Sequence, residues 1–273
     1  MMLEAGGAAA YAYTGGRAFD PNRPVAVFLH GAQHDHSVWA LQTRYFAHHG
    51  LSVLAVDLPG HGRSMRPAKR SIVELADWVI ALLDAANVRS AMLIGHSMGS
   101  LIALDAAARY PLRVTRISLL ATAFPMTVSD ALLDAARDRE PDAIDMVNQW
   151  SHSSIAAKPS SPGPGFWLHG SNQRLMERMA VRGEPQLFHT DFSACNAYAD
   201  GLERAAALQC PVQIVTGKRD AMTPPRASRA LVDAMKYAGV PVETVMLDAG
   251  HALMSEQPDG TLAALFGFAN RRA

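Results

Sequence analysis

Met92-Leu93-Ile94-Gly95-His96-Ser97-Met98-Gly99 is a short apolar run that breaks into a turn with glycine on both sides of a His-Ser-Met triplet. The run predicts a strand. The residues that follow, Met98 to Arg109, are rich in helix formers and are closed off by Tyr110-Pro111. A serine at the apex of a tight strand-to-helix turn is held in a strained backbone conformation, and bulky neighbours at 95 and 99 would collide with the adjoining strand and helix. Ser97 would also stand at a helix N-terminus, where the dipole favours developing negative charge, so it is the candidate nucleophile. Gly-x-Ser-x-Gly alone arises by chance in roughly one chain of this length in ten. Its place between an apolar strand and an alanine-rich helix is what gives it weight.

Further strands lie to either side. Val25 to Leu29 is a continuous apolar run bounded by Pro24 and Gly31, as expected of a strand buried on both faces, and His30-Gly31-Ala32-Gln33 follows it. Leu51 to Val56 is the next strand and closes on Asp57-Leu58-Pro59-Gly60-His61-Gly62-Arg63-Ser64. An Asp at a strand end before Pro-Gly-x-Gly is suited to binding backbone N–H groups of its own turn, so Asp57 and His61 read as turn residues. Val114 to Leu120 gives another buried strand, Pro211 to Thr216 the next strand and Val242 to Leu247 the last, and Ala9 to Tyr13 is an early one. Ser37 is expected to cap a helix to His49, with Trp39, Tyr45 and Phe46 facing a core and Gly50 stopping it. Ser71-Ile72-Val73-Glu74 is a capping box opening a helix to about Ala85, with Ile72, Leu75, Val79 and Leu82 on one stripe. Thr223-Pro224-Pro225 opens a helix to about Tyr237, and Pro258 to Asn270 forms the last one.

Four blocks in this order give the chain its character: Phe28 to Ala32, Asp57 to Ser64, the Ser97 turn, and the pair Gly217-Lys218-Arg219-Asp220 and Ala249-Gly250-His251. With them the sequence resembles the α/β-hydrolase fold superfamily along almost its whole length. The resemblance implies an α/β fold, a mostly parallel doubly wound sheet with a helical cap insertion. Residues 1–123 and 192–273 would form the core domain, and 124–191, broken by several prolines, the cap. Phe192 to Ala207 would be the returning helix, with Phe192, Cys195, Tyr198 and Leu202 on one face.

In that family the chain order is Ser, then Asp or Glu, then His. The resemblance therefore implies a triad of Ser97, Asp220 and His251, with oxyanion donors from the backbone N–H groups of Ala32 and Met98. Asp220 follows an apolar strand directly, whereas Asp248 is too near His251 along the chain and Asp191 lies at the cap's exit. Residues expected to border the substrate are His30, Gln33, His96, Phe124, Trp150 and Trp167. Phe166, Leu168, Met126, Met146, Met176 and Met179 suit either an acyl pocket or the cap's own core.

Serine at the nucleophile position argues against haloalkane dehalogenase or epoxide hydrolase chemistry, which resembles this pattern but places Asp there. Carboxylic ester hydrolysis is the first expectation. Lactone, thioester, amide or carbon–carbon bond hydrolysis and cofactor-free perhydrolysis share the triad, and a ligand receptor on the same fold is a remote alternative. No metal or cofactor is needed, and His34 and His36, two apart with no third ligand nearby, make a poor zinc site.

The chain of 273 residues has 25 acidic and 25 basic side chains, so nothing points to nucleic acid or an anionic membrane surface as partner. The expected partner is a small acyl substrate. Cys195 and Cys210 imply no disulfide framework, and the first residues lack a basic n-region and a sustained apolar run, so a cytoplasmic protein is expected.

Overall fold

The computed structural model describes residues 1–153 and 168–271. In chain order, β1 (Met2–Ala5) and β2 (Ala8–Tyr13) form a hairpin, and β3 (Val25–Leu29) leads through a 3₁₀ turn, His36–Trp39, into α1 (Ala40–His48). Then follow β4 (Ser52–Val56), α2 (Ile72–Ala85), β5 (Ala91–His96), α3 (Met98–Arg109) and β6 (Val114–Leu120). Among the described residues, α4 (Asp130–Asp138), α5 (Glu140–Ser151), α6 (Leu168–Arg182) and α7 (Leu187–Ala197) come next, and then α8 (Gly201–Ala206). The chain ends with β7 (Val212–Gly217), a 3₁₀ turn into α9 (Arg229–Tyr237), β8 (Val242–Leu247), α10 (Leu253–Glu256) and α11 (Pro258–Ala269).

The sheet order is β1-β2-β4-β3-β5-β6-β7-β8, parallel from β4 through β8 and antiparallel at β1 and β2. Side chains alternate across a strand, and here both faces are covered. Val25, Val27 and Leu29 of β3 and Leu93 of β5 enter one core with α2 and α3. Ala26 and Phe28, with Met92 and Ile94, enter the opposite core with Trp39, Phe46, Leu265 and Phe268. Each fully buried side chain of this size contributes about 2 kcal/mol. Because β3, β5, β7 and β8 run parallel, their carboxyl ends share one edge of the sheet, and the loops bearing Ala32, Ser97, Asp220 and His251 meet there.

Several local expectations change. Asp35, not Ser37, caps the turn before α1, its carboxylate accepting the Ser37 N–H at 2.8 Å. Tyr45 is partly exposed and stacks on His49 instead of entering the core. The expected helix from Phe192 to Ala207 is two, broken after Ala197, which leaves Leu202 exposed. The expected boundary between 191 and 192 falls inside α7. Strand β1 and helix α10 were not expected, being too short to show a period. Among the described residues no helix is long and apolar enough to cross a membrane, and Cys195 and Cys210 are buried free thiols.

The glycines of the Ser97 turn are required by close approach. A Cβ at Gly95 would run into the Gly99 carbonyl, and one at Gly99 into the carbonyls of Leu29 and His30. Backbone cannot yield as a flexible side chain does. Gly95→Ala is therefore expected to destabilise the protein by about 3 kcal/mol, read as a lowered midpoint in urea. An unchanged midpoint would show that the turn can open.

Candidate active site

Ser97 closes β5 and stands at the N-terminus of α3 with φ +53° and ψ −118°. A non-glycine residue held there is strained and must be fixed by its surroundings. Its N–H donates to the Leu120 carbonyl at 2.9 Å, and its own carbonyl accepts from the Ser100 N–H at 2.8 Å and the Ser100 hydroxyl at 2.6 Å. The loop after β3 lies against this turn, for a Cβ on Gly31 would stand 3.2 Å from the Ser97 Cβ. The loop that carries Ala32 thus lies beside the serine, and Met98 follows the serine as the first residue of α3.

Asp220 follows β7 and is buried. Its Oδ1 accepts the N–H groups of Met222 and Thr223, each at 2.8 Å, and its Oδ2 accepts the Thr223 hydroxyl at 2.7 Å. The same Oδ2 lies 2.9 Å from His251 Nδ1, which must carry the proton because a carboxylate only accepts. In the neutral ring the other nitrogen, Nε2, carries the lone pair. Burial pushes the Asp220 carboxyl up, but the charge and hydrogen bond of His251 and the Thr223 donors outweigh it, so its pKa lies below the ordinary carboxylate value. His96 donates from Nε2 to the His251 carbonyl at 2.9 Å, and the two rings are 4.8 Å apart. Burial, then the neighbouring His251, hold His96 well below the usual histidine range, so it is neutral and fit for that role. No hydrogen bond joins Ser97 Oγ to His251 among the described residues, and such bonds often tighten only around a bound substrate.

A cavity of about 450 Å³ opens on the His251 side. His34, His96 and His251 line it, and Val38, Leu41, Leu168, Leu175 and Met254 supply apolar walls. Of the described residues expected to border the substrate, His96 alone lines this cavity. His30 is buried, with Nδ1 donating to the Gly31 carbonyl at 2.8 Å and Nε2 accepting the Leu58 N–H at 3.1 Å. Gln33 is buried and donates to Glu140 at 2.9 Å. Phe124 packs edge-on to Tyr198 and against Gly201, and Trp150 is 41% exposed on α5, outside the cavity. Trp167, like Phe166, lies outside the described residues. Met126 and Met176 belong to the core shared with α2 and α3, Met146 packs against it, and Met179 packs with Ala68 and Leu187, whereas Leu168 lines the cavity.

The competing carboxylates are engaged elsewhere. Asp248 is 62% exposed and ion-paired to Arg219 at 2.6 Å. Asp191 is bonded to His61 at 2.9 Å. Asp57 accepts the Arg63 N–H of its own turn, as expected, and also the His36 N–H from the loop after β3, each at 2.9 Å. His34 and His36 point to different partners, Asn172 and Asp57. Asp35, His36 and Asp57 come together closely enough for a cation, yet protein donors already fill their oxygens, including Arg178 on Asp35 at 3.0 Å. The donor set does not fit a metal.

Sequence reasoning missed Thr223, read only as a helix opener. Its signal is the spacing, since an Asp commonly binds the N–H groups two and three residues on. The anchoring of the His251 backbone by His96 has no such signal, because it joins residues from different strand ends.

A family model described as the alpha/beta hydrolase family matches residues 26–265. The pimeloyl-acyl-carrier-protein methyl ester esterase of Neisseria meningitidis is 30% identical over 209 residues, covering 73% of this chain and 75% of that protein. The (E)-2-((N-methylformamido)methylene)succinate hydrolase of Acinetobacter baylyi is 27% identical over 200 residues, covering 71% and 72% respectively. Among solved structures, the enol-lactonase of Burkholderia xenovorans superposes with a TM-score of 0.83 over 99% of this chain and 100% of that one, at 23% identity.

Proposed function

The chain belongs to the alpha/beta hydrolase family, and on that premise we propose that it cleaves a carboxylic ester through an acyl-enzyme on Ser97. The observation that carries this reading is the 2.9 Å contact between Asp220 Oδ2 and His251 Nδ1 beside a serine held at φ +53°. A serine hydroxyl is too weak a nucleophile at its own pKa. His251 Nε2 takes its proton as Oγ attacks the acyl carbon, and Asp220 stabilises the resulting imidazolium and fixes the tautomer. The carbonyl oxygen becomes an oxyanion received by the N–H groups of Ala32 and Met98. His251 then protonates the leaving alcohol, and in the second half it activates the water that releases the acid.

Lactone, thioester, amide and carbon–carbon substrates, and perhydrolysis, share the first step. The ester reading is preferred because one relative, covered over most of its length, is a methyl ester esterase and because the cavity walls are largely apolar.

A panel of acyl esters and thioesters of increasing chain length tests it. The expected result is turnover of medium-length esters, a mass shift on Ser97 equal to the acyl group under rapid quench, and no response to EDTA. Absence of turnover across the panel, with no adduct on Ser97, would overturn the ester reading.

A further inference from the structure

The loop beside Ser97 is held from outside by contacts the proposed chemistry does not itself require. Two successive peptide groups carry its geometry. The 31–32 peptide bears the Ala32 N–H, and its carbonyl, that of Gly31, accepts from His30 Nδ1 at 2.8 Å. The 32–33 peptide is held at both ends: His34 Nδ1 lies 2.7 Å from the Ala32 carbonyl, and the Gln33 N–H donates to Asp191 Oδ2 at 2.9 Å. Gln33 has φ +59°, a left-handed conformation that a non-glycine residue keeps only when its surroundings impose it.

We propose that Asp191, paired with His61, is a positioning residue for the oxyanion hole: by gripping the Gln33 N–H it fixes the peptide next to the Ala32 donor. The proposal rests on the assignment of that donor above.

His61 explains why this carboxylate can serve. Its Nε2 lies 2.9 Å from Asp191 Oδ2 and its Nδ1 lies 3.1 Å from the Pro59 carbonyl. Both partners only accept, so the ring makes both bonds only when it carries both protons. Asp191 and His61 are both buried, and a buried charge is tolerated when paired and hydrogen-bonded. The groups facing the His61 ring are Asp191 from α7, Asp57 from the end of β4, the Pro59 carbonyl of its own turn and His30 from the end of β3, 4.8 Å away ring to ring. Burial pushes His61 down, but Asp191, then the Pro59 carbonyl and Asp57, outweigh it and hold its pKa above the ordinary 6.5. Such a group stabilises fully below pH 6.5 and loses that contribution as pH rises through its raised value. Helix α7 thus reaches the loop after β3 through the Asp191 carboxylate, which accepts the Gln33 N–H while His61 balances its charge.

The test compares Asp191→Ala, Asp191→Asn and His61→Gln with the parent, every rate being divided by active sites titrated with a fluorophosphonate. Losing an oxyanion donor outright costs about 10² to 10³ in kcat, so misplacing it in Asp191→Ala is expected to cost about 30-fold with KM unchanged. Affinity for a trifluoromethyl ketone, which forms a hemiketal oxyanion on the serine, should weaken by the same factor. Asn keeps an acceptor for the Gln33 N–H and should stay within about tenfold of the parent. Parent-like kcat per titrated site in Asp191→Ala, or a drop in kcat with unchanged ketone affinity, would overturn the proposal. Should Asp191→Ala not fold, the pH profile decides: the parent's kcat should decline as pH rises through the raised His61 value and that of His61→Gln should not. The same decline in both would be equally fatal. If the fluorophosphonate leaves parental Ser97 unlabelled, the hydrolase assignment fails first and takes this proposal with it, whereas labelling with an indifferent Asp191→Ala sinks only the latter.

Discussion

Ser97→Ala is expected to lower kcat by about 10⁴-fold or more, since members of a nucleophile-base-acid set act as a unit. The fold should be untouched. Nothing in the turn depends on the Ser97 side chain as a cap, because its N–H to Leu120 and its carbonyl from Ser100 are backbone contacts that alanine keeps. Alanine also bears the same strain at φ +53° as serine, so neither state gains. The measurements are steady-state kinetics, thermal unfolding and peptide mapping after fluorophosphonate treatment, with label on Ser97 in the parent and nowhere in the variant. Label transferred to another serine, or activity surviving at more than a hundredth of the parent's, would remove the central claim of the mechanism. A lowered Tm with parental activity would instead mark Ser97 as a structural residue.

The elements that were legible in the sequence are those whose burial is complete. The run Val25 to Leu29 reads as a strand because both of its faces are covered, and Ile72, Leu75, Val79 and Leu82 read as one stripe because α2 packs a single face inward. The parallel order of the sheet follows from the same runs alternating with helices. Legibility ends where a contact joins distant segments. Phe124 and Trp150 have the size for a pocket, yet aromatic residues also serve as packing, and only the placement of α8 and α5 separates the two uses. His61 shows the limit most plainly. Its turn was readable, but its charge depends on a carboxylate 130 residues away. By its position in the chain Asp191 rivals Asp220 as the acid, and its geometry gives it a different partner altogether.

The acid is the assignment that a single residue change examines most directly. Asp220→Asn is expected to lower kcat by about 10² to 10⁴-fold with little loss of stability, through the wrong tautomer at His251. Asparagine can still accept the Met222 and Thr223 N–H groups on one oxygen, so the turn after β7 persists. Its amide nitrogen would then face His251 Nδ1 and the Thr223 hydroxyl, both within 3.1 Å of one another in the parent. A donor there favours the ring with the lone pair on Nδ1 and the proton on Nε2, which cannot accept from Ser97. The parent also ties part of its stability to this carboxylate: with its pKa lowered in the fold, Asp220 stabilises above the ordinary 3.8, and that contribution fades as pH falls through the lowered value. The variant should lack this acid-side loss. Asp248→Asn is the control, because an exposed surface ion pair of this kind is worth at most about 1 kcal/mol and its removal should change kcat by less than about tenfold. If Asp220→Asn kept near-normal kcat while Asp248→Asn abolished it, the acid would move to Asp248, and Ser97 and His251 would keep their roles.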